Sequence, residues 1–475
     1  MKIGKTTSDV LFSGVINVAI RLRGLVFIPL ITISLGVDAF GAYTQILSIA
    51  SLLELIFGLG LHAGLVRYGR RSVDTADLYY SLLVVASLST LVVTAVVAVF
   101  AEQLATLTLG DAGYASAFRI GALLILIRTV FRSAQNYFRI DSRIKVFSAV
   151  EGIRAYGDIT AVAISVYALG LGLDGLFTSM VLFEAAFLGV LQLQIVREVG
   201  ITIPSFPDLR ANLEYSVPVA ISSLAGNVSS RVDRIMIGFF LGASAVGVYS
   251  IAYQIAVAMS MYVKPIEQTF FPEFSDFIDE NRYEKCANYL RTGTRYFLII
   301  AVPTAGGMFL IGPDVISILT AGQGTPSPYL VGVIALGITI GGIERLTGTI
   351  LDAVEETALR AKIIWAGAVA NILINAVLIP SFGIMGAAVA TVLTFVLIAG
   401  LTIYRVADIL PSTLPWLTVG RTVAATLVMI VVAETFVPDR IVITVVLSAL
   451  LYFGALFASR ELTLSELRTR LPIQR

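Results

Sequence analysis

The stretch that decides the fold is "VDRIMIGFFLGASAVGVYSIA", Val232–Ala252. It is a long apolar run with Asp233 and Arg234 at its edge. About 20 apolar residues are the length of a helix that crosses a bilayer. Charges at such a position are costly, so they are kept where they pair or serve a function. The stretch therefore predicts a membrane protein whose intramembrane charges matter.

The rest of the chain has the same character. Of its 475 residues, 57% are hydrophobic and only 14% are charged, and the mean hydropathy is +0.89. In lipid, only helices and closed barrels satisfy every backbone amide, and continuous apolarity without strict alternation favours helices. We predict an all-α integral membrane protein with 14 transmembrane helices, at about 10–34, 41–66, 78–101, 116–138, 147–170, 174–196, 214–240, 246–271, 293–318, 328–351, 360–380, 384–405, 417–437 and 441–458.

The loop charges predict an orientation. If the N-terminus is cytoplasmic, nearly all loop lysines and arginines fall on the inside, and the outside loops hold only Arg440. Cytoplasmic loops carry such an excess of positive charge. We therefore expect a multi-pass protein of the cell membrane with both termini in the cytoplasm. The first run is too long for a cleaved signal peptide and is expected to remain as a span.

Two sequence patterns recur at nearly equal offsets. "GVDAFGAY" (Gly36–Tyr43) matches "GASAVGVY" (Gly242–Tyr249), and "LGLDGLFTSMVL" (Leu171–Leu182) matches "FGIMGAAVATVL" (Phe382–Leu393). These matches predict one six-helix unit used twice in the same orientation. The predicted domains are an N-terminal lobe at 1–205, a C-terminal lobe at 206–410, and two additional helices with a cytoplasmic tail at 411–475.

Basic residues inside the predicted spans are the candidates for substrate binding, because guanidinium groups hold phosphates through paired donors. Arg21 and Arg23 are two residues apart, so at most one of them faces straight into a central cavity. These basic side chains predict an anionic substrate. The candidates are Arg21, Arg23, Arg128, Arg132 and Lys264.

The acidic residues suggest two other roles. Glu54 and Glu184 are expected to be lone carboxylates in the membrane, where they are candidates to bind a coupling proton or Na⁺. A second set is predicted to pair structurally or to form a gate, with Asp233 and Arg234 tying the outer end of span 7 to its neighbours. This second set is Glu151, Arg154, Asp158, Asp233 and Arg234.

Several functions are excluded by what the sequence lacks. It contains no Gly-x-x-x-x-Gly-Lys-Ser/Thr loop for ATP, and it has one cysteine and one histidine. Its external loops are too short to carry the carboxylates of a glycosyltransferase. We therefore predict a transporter without enzymatic activity, metal site, cofactor or nucleic-acid partner, driven by an ion gradient or the membrane potential.

Three segments resemble the polysaccharide and oligosaccharide flippases, a family that shares a superfamily with the multidrug and toxin extrusion (MATE) transporters and the lipid II flippases. They are "FGAYTQILSIASLLELIFGLGL" (Phe40–Leu61), "YSVPVAISSLAGNVSSRVDRIMIGFFLGASAVGVYSIAYQIA" (Tyr215–Ala256) and "NILINAVLIPSFGIMGAAVAT" (Asn371–Thr391). The resemblance implies two lobes around a cationic cavity and alternating access. It also implies a substrate in which a glycan is linked to a polyprenyl phosphate or diphosphate.

Carried over by position, the resemblance nominates Arg21 or Arg23, Glu54 and Lys264 on the helices that line the portal in such proteins. The expected partners are the lipid-linked glycan, membrane lipids and glycan polymerases or glycosyltransferases, around a monomeric protein. Two alternatives remain: a MATE-type drug/ion antiporter, or a non-transporting membrane subunit of a glycan assembly complex. A cation exporter favours a cavity rich in carboxylates, whereas basic residues predominate among these candidates.

Overall fold

The computed structural model describes residues 3–70, 74–206, 209–259, 261, 263–323, 327–411, 414–436 and 441–462. Within these ranges, the side chains of residues 3–11, 17, 21, 229, 259, 263–269, 271 and 436 lie outside the description. The described chain is helical and contains no strand. Its α-helices are α1 (Ile3–Leu35), α2 (Val37–Phe57), α3 (Leu61–Tyr68), α4 (Thr75–Val99), α5 (Ala101–Leu109), α6 (Ala115–Ile140), α7 (Ile144–Ala163), α8 (Leu173–Val199), α9 (Leu209–Leu241), α10 (Ala243–Met259), α11 (Val263–Asp279), α12 (Tyr283–Leu319), α13 (Leu330–Ala353), α14 (Thr357–Ala407), α15 (Trp416–Phe436) and α16 (Ile441–Ala458).

The helices coincide with the predicted apolar runs. Within the described residues, 10 helices are long and apolar enough to cross a membrane, and a further apolar helix, Ala243–Ala258, is shorter. This confirms an all-helical membrane protein, while the number of 14 crossings stays a prediction. The helix boundaries follow local chemistry: for example, the Asp74 carboxylate accepts a hydrogen bond of 3.0 Å from the backbone N–H of Asp77 and caps α4.

Glycines lie at two breaks in the helices, one that was not predicted and one that was. The second run was expected to be continuous, but it divides into α2 and α3 at Gly60, whose φ of 63° is left-handed. The eleventh and twelfth runs lie together in α14, which is broken at Gly383 with φ 60° and ψ −144°. Gly383 lies within "PSFGIMG" (Pro380–Gly386), the stretch predicted to be a very short turn. Residues with a Cβ rarely adopt such angles.

The chain forms two compact units. The first comprises Met1–Ser250 with Leu319–Gln323, and the second comprises Ile251–Ile318 with Gly324–Arg475. The first unit thus extends beyond the predicted lobe boundary at 205 and includes α9 and the start of α10. These units are defined by packing, whereas the predicted domains describe a sequence repeat, so the division at 205 and 410 stays a prediction.

In the first unit, α6 is the central helix. It packs against α2, α3, α4, α7 and α8, while α1 lies on α7 and α2, and α9 lies on α2, α3 and α5. Buried aromatic rings, including Tyr79, Phe131 and Phe138, fill the core between these helices. In the second unit, α13 packs against α14 and α11, and α15 packs against α16.

The beginnings of α2 and α10 approach each other through residues that the repeat makes equivalent. A Cβ on Gly41 would collide with the carbonyl oxygen of Ala243, and a Cβ on Gly247 would collide with that of Val37. The equivalent hydroxyls of Thr44 and Ser250 are hydrogen-bonded at 3.2 Å. Each contact is the image of the other under one offset, which is the signature of a two-fold relation.

Candidate functional site

Eight charged side chains of the first unit lie on five adjoining helices, α1, α2, α6, α7 and α8. We call them the charged cluster. Helix α6 brings them together because it packs against α2, α7 and α8, and α1 joins through α7. The members are Arg23, Glu54, Arg128, Arg132, Glu151, Arg154, Asp158 and Glu184.

Glu184 is the most heavily contacted member. Arg128 donates to it from Nε, at 3.1 Å to each carboxylate oxygen, and from Nη2 at 2.7 Å to Oε1. Nη1 of Arg154 lies 3.5 Å from the same Oε1. Glu184 is fully buried, so its charge depends on these two arginines for compensation.

Arg132, one turn further along α6, pairs with Glu54 of α2. Its Nε and Nη2 lie 2.8 Å and 2.7 Å from Glu54 Oε1. A small cavity beside the pair is lined by Glu54, Arg132, His62 and Ser133, and its volume of about 10 Å³ is close to what one water needs. The pair is thus the polar wall of a small internal space.

Arg23 of α1 reaches Asp158 of α7, with 2.8 Å between Nη2 and Oδ2. Its guanidinium also lies over the ring of Phe27, 4.9 Å from the centroid. The ring of Tyr43 in turn stacks on the ring of Phe27, with the two centroids 5.5 Å apart. These contacts fix Arg23 between α1, α2 and α7.

The fourth pair is local to α7. Arg154 Nη2 donates to Glu151 Oε1 at 2.6 Å, and Gln135 of α6 donates to Glu151 Oε2 at 3.0 Å. Within α7, Arg154 thus pairs with Glu151, whereas Asp158 of the same helix is bound by Arg23 of α1.

The prediction that Glu54 and Glu184 are lone carboxylates was wrong. Each is held by an arginine of α6, and the charged cluster contains as many carboxylates as arginines. The physical reason is the cost of an unpaired charge in a low-dielectric interior. The pairs differ in exposure: the Arg132 side chain is 46% exposed over a Glu54 that is 5% exposed, whereas Arg23, Arg128 and Arg154 are 15%, 15% and 16% exposed.

The charges of the opening stretch, and Arg231 just before it, also have partners. Arg231 of α9 donates to the Ser51 hydroxyl of α2 at 2.8 Å, and the Tyr249 hydroxyl of α10 donates to buried Asp233 at 2.9 Å. Arg234 donates to the carbonyl oxygen of Ser230 in its own helix at 2.7 Å. Asp233 thus contacts α10 from α9, while the structural or gating role of Asp233 and Arg234 stays a prediction.

Two candidate residues, Arg21 and Lys264, have side chains outside the described part of the structure. In the remaining ranges, no group of three His, Cys, Asp or Glu side chains is arranged to hold a metal ion. The sequence reasoning missed Gln135, Ser51 and Tyr249 as partners of the charges. Only Tyr249 carried a signal, because it is matched to Tyr43 in the repeat.

Comparison with known proteins identifies two matching families. The model described as polysaccharide biosynthesis protein matches residues 6–278, and the MatE model matches residues 218–377. The chain is similar to the "Probable low-salt glycan biosynthesis flippase Agl15" of Haloferax volcanii, with 28% identity over 192 residues, 40% of this chain and 41% of Agl15. It is also similar to the "Succinoglycan biosynthesis transport protein ExoT" of Rhizobium meliloti, with 24% identity over 349 residues, 72% of this chain and 67% of ExoT.

The match to Agl15 spans only about two fifths of that relative's length. Among solved structures, "Lipid II flippase MurJ, inward closed conformation" superimposes with a TM-score of 0.80 at 14% identity, covering 95% of this chain and 99% of that chain. At this identity the likeness shows a common fold.

Proposed function

Because the chain belongs to the polysaccharide biosynthesis protein family, we propose that it is a secondary-active flippase. Its substrate is an oligosaccharide or polysaccharide repeat unit linked to a polyprenyl phosphate or diphosphate. The protein moves this substrate across the cytoplasmic membrane by alternating access. The names of Agl15 and ExoT, a glycan flippase and a glycan transport protein, support this substrate class.

The observation that carries the proposal is the exposed guanidinium of Arg132. Its side chain is 46% exposed, whereas that of its partner Glu54 is 5% exposed. A guanidinium at membrane depth that faced lipid would be very costly, so an aqueous path is the better environment for it. Held by Glu54, Arg132 is oriented in advance and keeps further N–H donors for a phosphate.

The proposed topology has fourteen crossings, two six-helix lobes and two added helices, with both termini in the cytoplasm. Its support is the reciprocal contact at Gly41 and Gly247, which relates the two predicted repeats through equivalent residues. The protein is proposed to act as a monomer beside the glycosyltransferases or polymerases that make and use its substrate. Arg21, Arg23, Arg128 and Lys264 stay candidates for the head group with Arg132.

Coupling to H⁺ or Na⁺ is proposed to use carboxylates of the charged cluster. Glu54 and Glu184 stay candidates, although their arginine partners must move before either can take up a cation. Asp158 is better placed, because its buried Oδ1 has no hydrogen-bond partner among the described residues. An oxygen of this kind gains a bond when it is protonated or binds a cation.

Reconstituted vesicles test the flippase. They carry a fluorescent, NBD-labelled polyprenyl-diphosphate sugar, and dithionite bleaches the label that reaches the outer leaflet. Replacing both members of one pair, Arg132→Gln with Glu54→Gln, removes a phosphate donor while keeping the charge balance. We expect the transfer rate to fall about 10- to 100-fold, the worth of one or two charge-assisted hydrogen bonds.

The matched control is Arg210→Gln with Glu214→Gln, an exposed pair of α9 at 2.8 Å. It should leave transfer unchanged, and NBD-phosphatidylcholine should not be transferred by any variant. If wild-type protein does not move the labelled diphosphate faster than empty vesicles, the substrate class is refuted. Equal rates in wild type and the Arg132/Glu54 variant would refute the assigned site.

A MATE-type antiporter is the second candidate, and the MatE match over residues 218–377 favours it. The equal numbers of carboxylates and arginines in the charged cluster also weaken the argument that its charge rejects cations. The same vesicles distinguish the two functions. An antiporter would accumulate a cationic dye in exchange for Na⁺ or protons that move down an imposed gradient. It would leave the labelled lipid in place.

A further inference from the structure

A second charged feature lies in the second unit, apart from the charged cluster. It is a cavity of about 280 Å³ between α12, the start of α15 and the chain after α16. We call it the basic pocket. Its charged lining consists of Arg291, Arg295, Arg421, Arg460 and Glu461. The volume is just below the range of about 300–1,000 Å³ for ligand pockets, which suits a small head group.

The one carboxylate of the basic pocket is fully engaged. Glu461 Oε1 accepts from Arg295 Nε at 2.8 Å and from the Thr418 hydroxyl at 2.7 Å, and its Oε2 accepts from Arg421 Nη1 at 2.9 Å. Glu461 is 4% exposed, so it lies beneath the two arginines and orients them. Four arginines and one carboxylate leave the lining with an excess of positive charge.

The two outer arginines of the basic pocket add N–H donors that no described carboxylate binds. Arg291 and Arg460 are exposed, and in the ranges that the structure covers neither has a carboxylate within ion-pair distance. Arg421 spends one of its five N–H donors on Glu461. A planar guanidinium fork fits the oxygens of a phosphate, and several forks around one small cavity favour a compact anion.

The basic pocket lies at the beginning of an apolar helix. Trp416 and Leu417, the first residues of α15, are 70% and 64% exposed, and Leu417 lines the pocket. An exposed tryptophan at the end of a membrane helix is typical of the boundary between lipid and water. The N-terminus of α15 also contributes the positive end of its helix dipole.

We propose that the basic pocket binds a phosphate group, and that this phosphate belongs to the head group of an anionic phospholipid. Basic pockets between membrane helices recognise such head groups through their arginines. The bound lipid links α12, α15 and the chain after α16 at the membrane boundary. The proposal does not depend on transport, so it can fail while the proposed flippase stands.

Tryptophan fluorescence provides the test, because the chain has two tryptophans and Trp365→Phe leaves Trp416 as the reporter. Brominated phosphatidylglycerol and brominated phosphatidylcholine are titrated into the purified full-length protein in detergent. We expect brominated phosphatidylglycerol to quench Trp416 at about tenfold lower concentration than brominated phosphatidylcholine. The reason is that each arginine near an anionic head group adds a favourable electrostatic attraction.

The preference should disappear in Arg291→Gln with Arg460→Gln, which removes the two exposed arginines and leaves Glu461 clamped. The matched control is Arg197→Gln with Arg210→Gln, two exposed arginines of the first unit that should leave the preference intact. The thermal midpoint of each variant, measured without lipid, should equal that of the Trp365→Phe parent.

Inorganic phosphate distinguishes the two sources of the anion. If millimolar phosphate raises the thermal midpoint of the parent but not of the Arg291/Arg460 variant, while the two lipids quench equally, the phosphate site stands and its ligand is soluble. The proposal is overturned if the lipids quench equally and phosphate has no effect. It is also overturned if the preference survives the loss of both arginines.

Discussion

In the charged cluster of the first unit, each of the four arginines contacts a buried carboxylate, whereas in the basic pocket of the second unit four arginines surround Glu461 alone. Four of the five helices that carry the charged cluster, α1, α2, α6 and α8, are long and apolar enough to cross a membrane. The basic pocket lies where α15 begins and α16 has ended.

The difference follows from the surroundings. In the interior of a membrane protein, an ion that lacks a partner loses its hydration and gains nothing in return, so charges persist there in balanced pairs. At the end of a helix, water and lipid head groups compensate an excess of one sign. The number of arginines alone therefore does not identify an anion-binding site. The depth of the arginines in the membrane, and whether nearby carboxylates already bind them, determine whether an anion can be bound.

The largest effect is expected from Glu184→Gln, which breaks the balance of the charged cluster. Arg128 would keep its charge without a full partner, while Arg154 would retain Glu151 at 2.6 Å, and removing one member of a buried pair costs about 3–5 kcal/mol. Thermal unfolding of the purified protein should show this as a large fall in the midpoint. An unchanged midpoint would mean that the arginines are hydrated and that the pairing is not required.

A smaller effect is expected from Glu461→Gln, which probes the basic pocket. Burial raises the pKa of the Glu461 carboxyl, but hydrogen bonds from Arg295, Thr418 and Arg421 outweigh it and hold the pKa below its usual value. We expect a loss of about 2 kcal/mol at neutral pH, as for hydrogen bonds to charged groups. Unfolding midpoints of wild type and variant measure it.

This loss should depend on pH. Because the folded-state pKa of Glu461 is lower than in the unfolded chain, its stabilisation is present above about pH 4.3, the ordinary glutamate value, and is lost as the pH falls through the folded pKa. The midpoints of wild type and Glu461→Gln should therefore converge in acid. A difference that stays constant down to pH 3 would contradict an ionised, hydrogen-bonded Glu461.

The smallest effect is expected from Arg210→Gln. Arg210 and Glu214 form an ion pair of 2.8 Å on α9, but both side chains are largely exposed. Such helix pairs contribute about 0.5 kcal/mol or less. Urea or thermal unfolding should barely distinguish this variant from wild type, and a loss comparable to that of Glu184→Gln would show that depth does not govern these charges.

Much of the fold could be predicted because the apolar runs are local. Each run overlaps a helix, and the glycine in "PSFGIMG" marked the break between the two runs in α14. The division of the second run at Leu59 and Gly60 was missed, because glycines within an apolar stretch do not reveal where φ is positive, and leucine at Leu59 gives no signal of its φ of 53°.

The candidate site could be predicted only as a set of residues. Their positions followed from the cost of charge in a membrane, but their pairing did not. Arg23 and Asp158 are separated by 135 positions in the sequence, and they meet only because α1 packs on α7. Asp158 was expected to pair structurally, but the sequence did not show that its partner is Arg23 of another helix.

The reciprocal contact between α2 and α10 has an evolutionary consequence. Gly41 and Gly247 occupy corresponding places in the two matched segments, and each is packed against the backbone of the other's helix. If the segments arose by gene duplication, they have not been free to diverge at these two sites, because a larger residue at either one separates the same two helices. Once one glycine is replaced, the two helices are already separated, and the second replacement disrupts little further packing. The loss of unfolding free energy in the double variant should therefore be smaller than the sum of the two single losses.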